Sequence, residues 1–145
     1  METSQLASAF RMATSLIIKR LRRSVKSANS YSISEFQTLS YLYPDQAFSA
    51  SELATIVRVK PQSMSELLIN LKELGIVEKT PHEVDKRKSL ISLTQKGREI
   101  VEHTRYERDE WLARAIDNTL SAEEKQTLEA AVAILNKIVA YEPNI

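Results

Sequence analysis

The sequence predicts a mainly α-helical fold with one small β-wing of two or three strands, and three observations predict it. Apolar residues recur at spacings of three and four along most of the 145 residues, which is helical periodicity. Glycine and proline number only 2 and 4, so few positions interrupt a helix. Between residues 76 and 93, two short β-leaning runs flank a charged octapeptide, as expected of a hairpin.

Leu6, Phe10, Ala13, Ile17, Leu21 and Val25 define a first helix from Ser4 to Ser27, ended by the polar break Ser27-Ala28-Asn29-Ser30. Three serines answered three residues later by Glu or Gln mark further helix starts. Ser34 with Gln37 opens a helix that Pro44 stops, Ser49 with Glu52 opens a short helix over 50–57, and Ser121 with Glu124 opens the last helix. Pro61 suits the first turn of a helix whose Met64, Leu67, Leu68, Leu71 and Leu74 share one face, with Gly75 as its left-handed stop. The strands are expected over Ile76–Thr80 and Ser89–Leu93, with 81–88 as the tip. Thr94 then caps a long helix carrying Ile100, Val101, Thr104, Trp111, Leu112, Ala115 and Ile116, and the last helix carries Leu128, Ala131, Val132, Leu135, Ile138 and Val139.

Composition excludes several classes. The chain has no cysteine, so a disulfide scaffold, a thiolate metal site and a cysteine redox switch are out. His82 and His103 do not have metal-ligand spacing. No Gly-rich phosphate loop or Ser/His/Asp order is present, so neither an enzyme nor a cofactor is expected. The N-terminus lacks signal-peptide form, and no apolar run nears the roughly 18 residues of a membrane span, which points to a cytoplasmic protein. The net charge of +1 conceals a polarity: six Lys and Arg against one acid over 1–34, but seven against ten over 94–145. Charge distribution is therefore the better guide to anion binding.

The central order of short helix, tight turn (Arg58-Val59-Lys60), second helix and two-stranded wing is that of a winged helix-turn-helix. Leu53, Ala54 and Val57 offer the bracing face of the first helix. The second presents Gln62, Ser63, Ser65, Glu66, Ile69 and Asn70 opposite its leucines. Gln and Asn can pair with adenine, Ser is permissive, and Glu can accept from cytosine N4. The same residues also fit an ordinary solvated face. Lys86-Arg87-Lys88 at the hairpin tip, some twenty residues further on, shift the balance toward contacts with phosphates or a minor groove.

The segments Ser49-Ala50-Ser51-Glu52-Leu53-Ala54, Leu71-Lys72-Glu73-Leu74-Gly75-Ile76-Val77, Asp85-Lys86-Arg87-Lys88 through Leu93-Thr94-Gln95-Lys96-Gly97, and Leu120-Ser121-Ala122-Glu123-Glu124 resemble the signatures of the MarR family of regulators. The resemblance runs from about residue 5 to 140, and its most specific element is the Asp-x-Arg wing followed by Leu-Thr-x-x-Gly. It implies one domain over 1–145, with a DNA-binding region over 34–93 and a helical dimerisation region over 4–28 and 94–140. It implies a homodimer on double-stranded DNA, contacting it through Lys60, Pro61, Gln62, Ser63, Ser65, Glu66, Asn70, Asp85, Lys86, Arg87 and Lys88. Arg87 would enter the minor groove, Asp85 would orient the wing, and the helix from Pro61 would read bases. It also implies repression relieved by a small, often phenolic or anionic effector bound between the two regions. The chain departs from the pattern at Glu66 and Asn70, where members often carry basic residues, so Lys60 and the wing must supply more of the attraction.

The residues alone leave a second reading, a winged module that binds a protein and no DNA. The apolar stripes of the terminal helices exceed what one small winged module can cover, and pairing of two chains would bury them. Lys19, Arg20, Arg22, Arg23 and Lys26 spread around the first helix and are expected to be solvated. Phe10, Phe36, Tyr41, Tyr43, Tyr106 and Trp111 are expected in the core, with an apolar pocket between helical and winged regions as the alternative.

Overall fold

The computed structural model describes residues 1–26 and 30–142. Among them the elements run α1 (Thr3–Ser24), α2 (Ile33–Leu42), α3 (Ala50–Val57), α4 (Pro61–Glu73), β1 (Val77–Pro81), β2 (Ser89–Leu93), α5 (Gln95–Thr119) and α6 (Ala122–Val139). They divide into two compact units, Met1–Arg108 and Asp109–Ile145. The sequence expected this order of elements. The first helix ends three residues earlier than expected, and most of the polar break lies outside the described residues. No helix among the described residues is long and apolar enough to cross a membrane.

In the first unit, one buried cluster joins Leu39 and Leu42 of α2, Leu53, Ala54 and Val57 of α3, Met64, Leu67, Leu68 and Leu71 of α4, Ile76, Val77 and Ile91 at the wing, and Val101 of α5. The leucine face of α4 and the bracing face of α3 are thus both spent on this core, which leaves the opposite side of α4 to solvent. Burying a leucine-sized side chain is worth about 1.5–3 kcal/mol, so the cluster dominates the stability of this unit.

Capping largely follows the sequence, with one correction. Ser34 and Gln37 do not open α2. The cap is Ser32, whose Oγ accepts the Glu35 N–H at 3.1 Å while Glu35 Oε2 accepts the Ser32 N–H at 2.8 Å. Two candidate boxes overlap here, and the one ending in a carboxylate prevails because a negative charge is favoured at a helix N-terminus. Ser49 Oγ accepts the Glu52 N–H at 3.1 Å, and Ser121 and Glu124 bond reciprocally at 3.2 and 2.8 Å.

β1 and β2 pair antiparallel from Val77 opposite Leu93 to Pro81 opposite Ser89, so the first strand lies one residue beyond its expected range. The third strand is reduced to one residue: Phe48 and Ile91 exchange both backbone hydrogen bonds, at 3.1 and 2.7 Å. A single joint ties α4, the wing and α5 together. Gly75 ends α4 with φ 72°, a conformation that favours glycine. Thr94 Oγ1 donates to the carbonyl oxygens of Gly75 and Ile76 and accepts the Gly97 N–H at 3.1 Å. Lys96 Nζ donates to the Leu74 carbonyl at 2.7 Å.

The first half of α5 grips the end of α2. The Arg105 guanidinium lies 4.0 Å and that of Arg98 5.5 Å from the Tyr43 ring centroid, and Arg108 lies 4.6 Å from that of Phe36. Arg98 also pairs with Asp45, and the Tyr43 hydroxyl donates to Glu102 Oε1 at 3.2 Å. None of the six aromatic residues expected in the core is fully buried, although Tyr43 packs against the buried cluster; Tyr43 and Phe36 stack on guanidinium groups, which keeps both rings toward the surface.

α1 and α6 bury no residue of their own. Leu16, Ile17 and Ile18 of α1 are each more than half exposed, as are Val132, Ile134, Ile138 and Val139 of α6.

Candidate nucleic-acid interface

The turn before α4 is unusually tight for its sequence. Arg58 caps α3 in the left-handed conformation, φ 60° and ψ 48°, which costs a side-chain-bearing residue about 1–2 kcal/mol. The Val59 N–H then returns to the Ala54 carbonyl at 3.0 Å, and Lys60 and Pro61 start α4 at once. Pro61 fits the first helical position because its missing N–H has no partner there in any helix.

Every polar residue of α4 named from the sequence is exposed: Gln62, Ser63, Ser65, Glu66 and Asn70, with Lys60 and Pro61 at the helix start. Ser65 Oγ donates back to the Pro61 carbonyl at 3.0 Å. At 100° per residue, Gln62 and Glu73 lie nearest the centre of the exposed face, with Glu66 and Ile69 about 30° to either side, opposite Met64, Leu67, Leu68 and Leu71.

The wing tip is held by short-range bonds rather than by packing. Asp85 Oδ1 accepts both the backbone N–H of Arg87 at 3.1 Å and its Nε–H at 3.3 Å, while the Asp85 carbonyl accepts the Lys88 N–H at 3.0 Å. His82 Nδ1 accepts the N–H groups of Val84 and Asp85 at 3.2 and 3.0 Å. The histidine is therefore a structural residue of the wing base. The Arg87 side chain is 92% exposed despite its bond to Asp85, so its guanidinium remains available to a ligand. Lys86 and Lys88 are exposed beside it.

Two clefts join these parts. Lys79 and Ile91 face Ser65, Ile69 and Lys72 across a cleft of ≈ 120 Å³ between α4 and the wing. Lys79, Arg87 and Lys88 face Ser49, Ser51 and Glu52 across another of ≈ 400 Å³ at the start of α3. Lys79 borders both, which the sequence reading missed, as it missed the exposed Arg58. Only the charge of Lys79 marked it in the sequence, since β1 does not alternate and every residue of that strand after Val77 is exposed.

A third, larger cavity of ≈ 470 Å³ lies away from this surface. It is lined by Ile18, Leu21 and Arg22 of α1, Phe36 and Tyr41 of α2, and Arg108 of α5, among others. The remaining basic residues near the end of α1 (Lys19, Arg20, Arg23 and Lys26) are exposed, as expected.

Comparison with known proteins follows the same lines. The sequence profile of the MarR family matches residues 31–88. A helix-turn-helix-type transcriptional regulator of Mycobacterium tuberculosis is 33% identical over 132 residues, which cover 89% of this chain and 92% of that protein. A solved Pseudomonas aeruginosa protein described as a transcriptional regulator is 27% identical with a TM-score of 0.81, covering 95% of this chain and 96% of its own. A point mutant of Staphylococcus aureus MepR, solved bound to an oligodeoxyribonucleotide, shares the fold at 22% identity and a TM-score of 0.68, covering 92% of this chain and 97% of that one.

Proposed function

The chain belongs to the MarR family of transcriptional regulators, and from that premise we propose that it binds an operator as a homodimer and represses transcription until a small effector releases it. The observation that carries the reading is the pairing of an outward polar face on α4 with a wing whose exposed arginine is oriented by Asp85. In this reading α4 enters a major groove N-terminus first. Lys60, Pro61, Gln62, Ser63, Ser65, Glu66 and Asn70 meet DNA there, and Arg87, Lys86 and Lys88 reach phosphates or the adjacent minor groove. Arg58 and Lys79 add positive charge on either side. The MepR mutant of the same fold was solved bound to an oligodeoxyribonucleotide, which supports DNA binding by this fold.

Residues 34–93 serve as the DNA-binding region, and 4–28 with 94–140 as the dimerisation region. The apolar faces of α1 and α6, uncovered in one copy, supply the surface a second copy buries. Two recognition helices then meet half-sites about one helical turn, roughly 34 Å, apart. The effector occupies the cavity bounded by α1, α2 and α5, where the ring of Tyr41 and the exposed guanidinium group of Arg22 suit an aromatic anion. A preference of 1–3 kcal/mol for a dimer of wrong helix spacing lowers DNA affinity about 5- to 150-fold. The protein works in the cytoplasm and catalyses no reaction.

Fluorescence anisotropy with promoter fragments, titrated with salt, tests the reading. Binding should weaken steeply with salt, and further when the half-site spacing changes by about five base pairs, half a turn. A flat salt response, or indifference to spacing, would overturn it.

A further inference from the structure

The face that α4 offers to DNA carries no cation at its centre. Gln62, Glu66, Ile69 and Glu73 lie at i, i+4, i+7 and i+11 on one outward stripe, and Lys72 lies off to the side, where with Ser65 and the edge of Ile69 it lines the cleft toward the wing. The positions three and four residues from Glu66 are Gln62, Ser63, Ile69 and Asn70, so no helical neighbour neutralises it. Among the described residues Glu66 makes no ion pair. Ile69 is 57% exposed although it is apolar and β-branched. An uncompensated carboxylate and a bare apolar side chain are both unfavourable on a surface that meets only phosphates. Each becomes favourable against one particular base edge.

In the major groove guanine offers two acceptors, N7 and O6, adenine one acceptor beside its amino donor, and thymine an acceptor and a methyl group, whereas cytosine offers only the N4 amino donor. A carboxylate has acceptors alone, so it is repelled by guanine and thymine, half-opposed by adenine N7, and matched by cytosine. An exposed isoleucine is matched by the thymine C5-methyl group. Glu66 and Ile69 are about 4.5 Å apart along the helix axis, at 1.5 Å per residue. One base step is about 3.4 Å, so they fall on neighbouring base pairs.

We infer that Glu66 and Ile69 are the specificity-determining residues of α4: Glu66 accepts the N4 amino hydrogens of a cytosine, and Ile69 packs on the methyl group of an adjacent thymine. The half-site is thereby read from α4 without a contact to guanine, and Gln62 on the same stripe faces an adenine. This rests on the operator-binding function proposed above. The carboxylate also acts negatively, because it weakens attachment to duplexes that offer no amino group at that position.

The test is selection of bound duplexes from a random library, followed by anisotropy on the selected site with wild type, Glu66→Ala and Ile69→Ala. Both side chains are exposed, so the variants should keep the thermal midpoint of the parent. Wild type should select a half-site with a C·G pair next to a T·A pair. Glu66→Ala should lose roughly tenfold discrimination at the C·G pair, the scale of one good base contact, and bind random duplex more tightly than wild type. Replacing the guanine of that pair by 7-deazaguanine should leave wild-type affinity unchanged. Replacing the thymine by deoxyuridine should weaken wild type severalfold and Ile69→Ala not at all. A selected site whose binding falls with 7-deazaguanine, or whose base preferences survive Glu66→Ala, overturns the inference while leaving operator binding intact. Failure to enrich any duplex overturns both.

Discussion

Substituting Gly97 by alanine separates packing from helix propensity, because the two push in opposite directions. Gly97 sits in the first turn of α5, where alanine should gain at most about 1 kcal/mol over glycine from propensity. A Cβ on its backbone, however, would lie 2.2 Å from the Ile76 carbonyl oxygen and 2.9 Å from Leu93 Cδ2. The Leu93 side chain can rotate away, but the Ile76 carbonyl is fixed, since it accepts from both the N–H and the hydroxyl of Thr94. Overpacking against fixed groups costs about 1–3 kcal/mol, and a backbone clash this close belongs at the upper end. The net loss is then about 2 kcal/mol, or a fall of roughly 4–8 °C in Tm for a chain of this length. Thermal unfolding followed by far-ultraviolet circular dichroism, at matched protein concentration because dimers couple to it, reads this directly. A midpoint equal to or above that of the parent would refute the close seating of α5 on the wing base. Gly75→Ala is the natural companion: it has open space around its Cβ but φ 72°, so its cost should be the left-handed penalty alone, about 1–2 kcal/mol.

Three further outcomes are expected. Asp85→Ala should shift Tm by no more than about 3 °C, since an exposed pair is worth at most about 1 kcal/mol. It should nonetheless weaken operator binding, although loss of a negative charge alone would strengthen it; tighter binding would show that Asp85 does not shape the wing. Arg58→Gly should relieve the left-handed turn at a small unfolded-state entropy cost, for a net gain of roughly 0.5 kcal/mol, and make the salt dependence of DNA binding shallower. An unchanged salt slope would place Arg58 away from phosphates. Ile138→Glu should convert the dimer to monomer in sedimentation experiments and abolish the two-site complex in gel shifts, and a persistent dimer would exclude the exposed face of α6 from the interface.

Most of the architecture was legible because the signals that define it are local. Leucine periodicity, Pro61 and Gly75 placed α4 to within a residue, and Ser49 and Ser121 placed two helix starts. Where two local signals overlapped, at Ser32 and Ser34, spacing could not choose between them and charge at the helix end decided. The outward residues of α4 followed from the same periodicity that buried its leucines. Lys79 escaped notice because its place beside both α4 and the start of α3 depends on contacts between elements, which a linear pattern does not encode, and Arg58 was read only as part of the turn. The aromatic residues were only partly legible for a similar reason: Tyr43 packs against the core as expected, but it and Phe36 also stack on arginines supplied 55 to 72 positions later in the chain.

The arginines of α5 also divide the molecule's positive charge into two accounts that answer differently to the surrounding solution. Arg98, Arg105 and Arg108 lie against aromatic faces, and an attraction to a ring quadrupole within about 6 Å acts well inside the roughly 8–10 Å over which salt screens. Arg87, Lys86 and Lys88 stand in open water. On the docking proposed above, a rise in ionic strength therefore weakens the hold of the wing on DNA before it loosens the clasp between α2 and α5, so detachment leaves the winged unit folded.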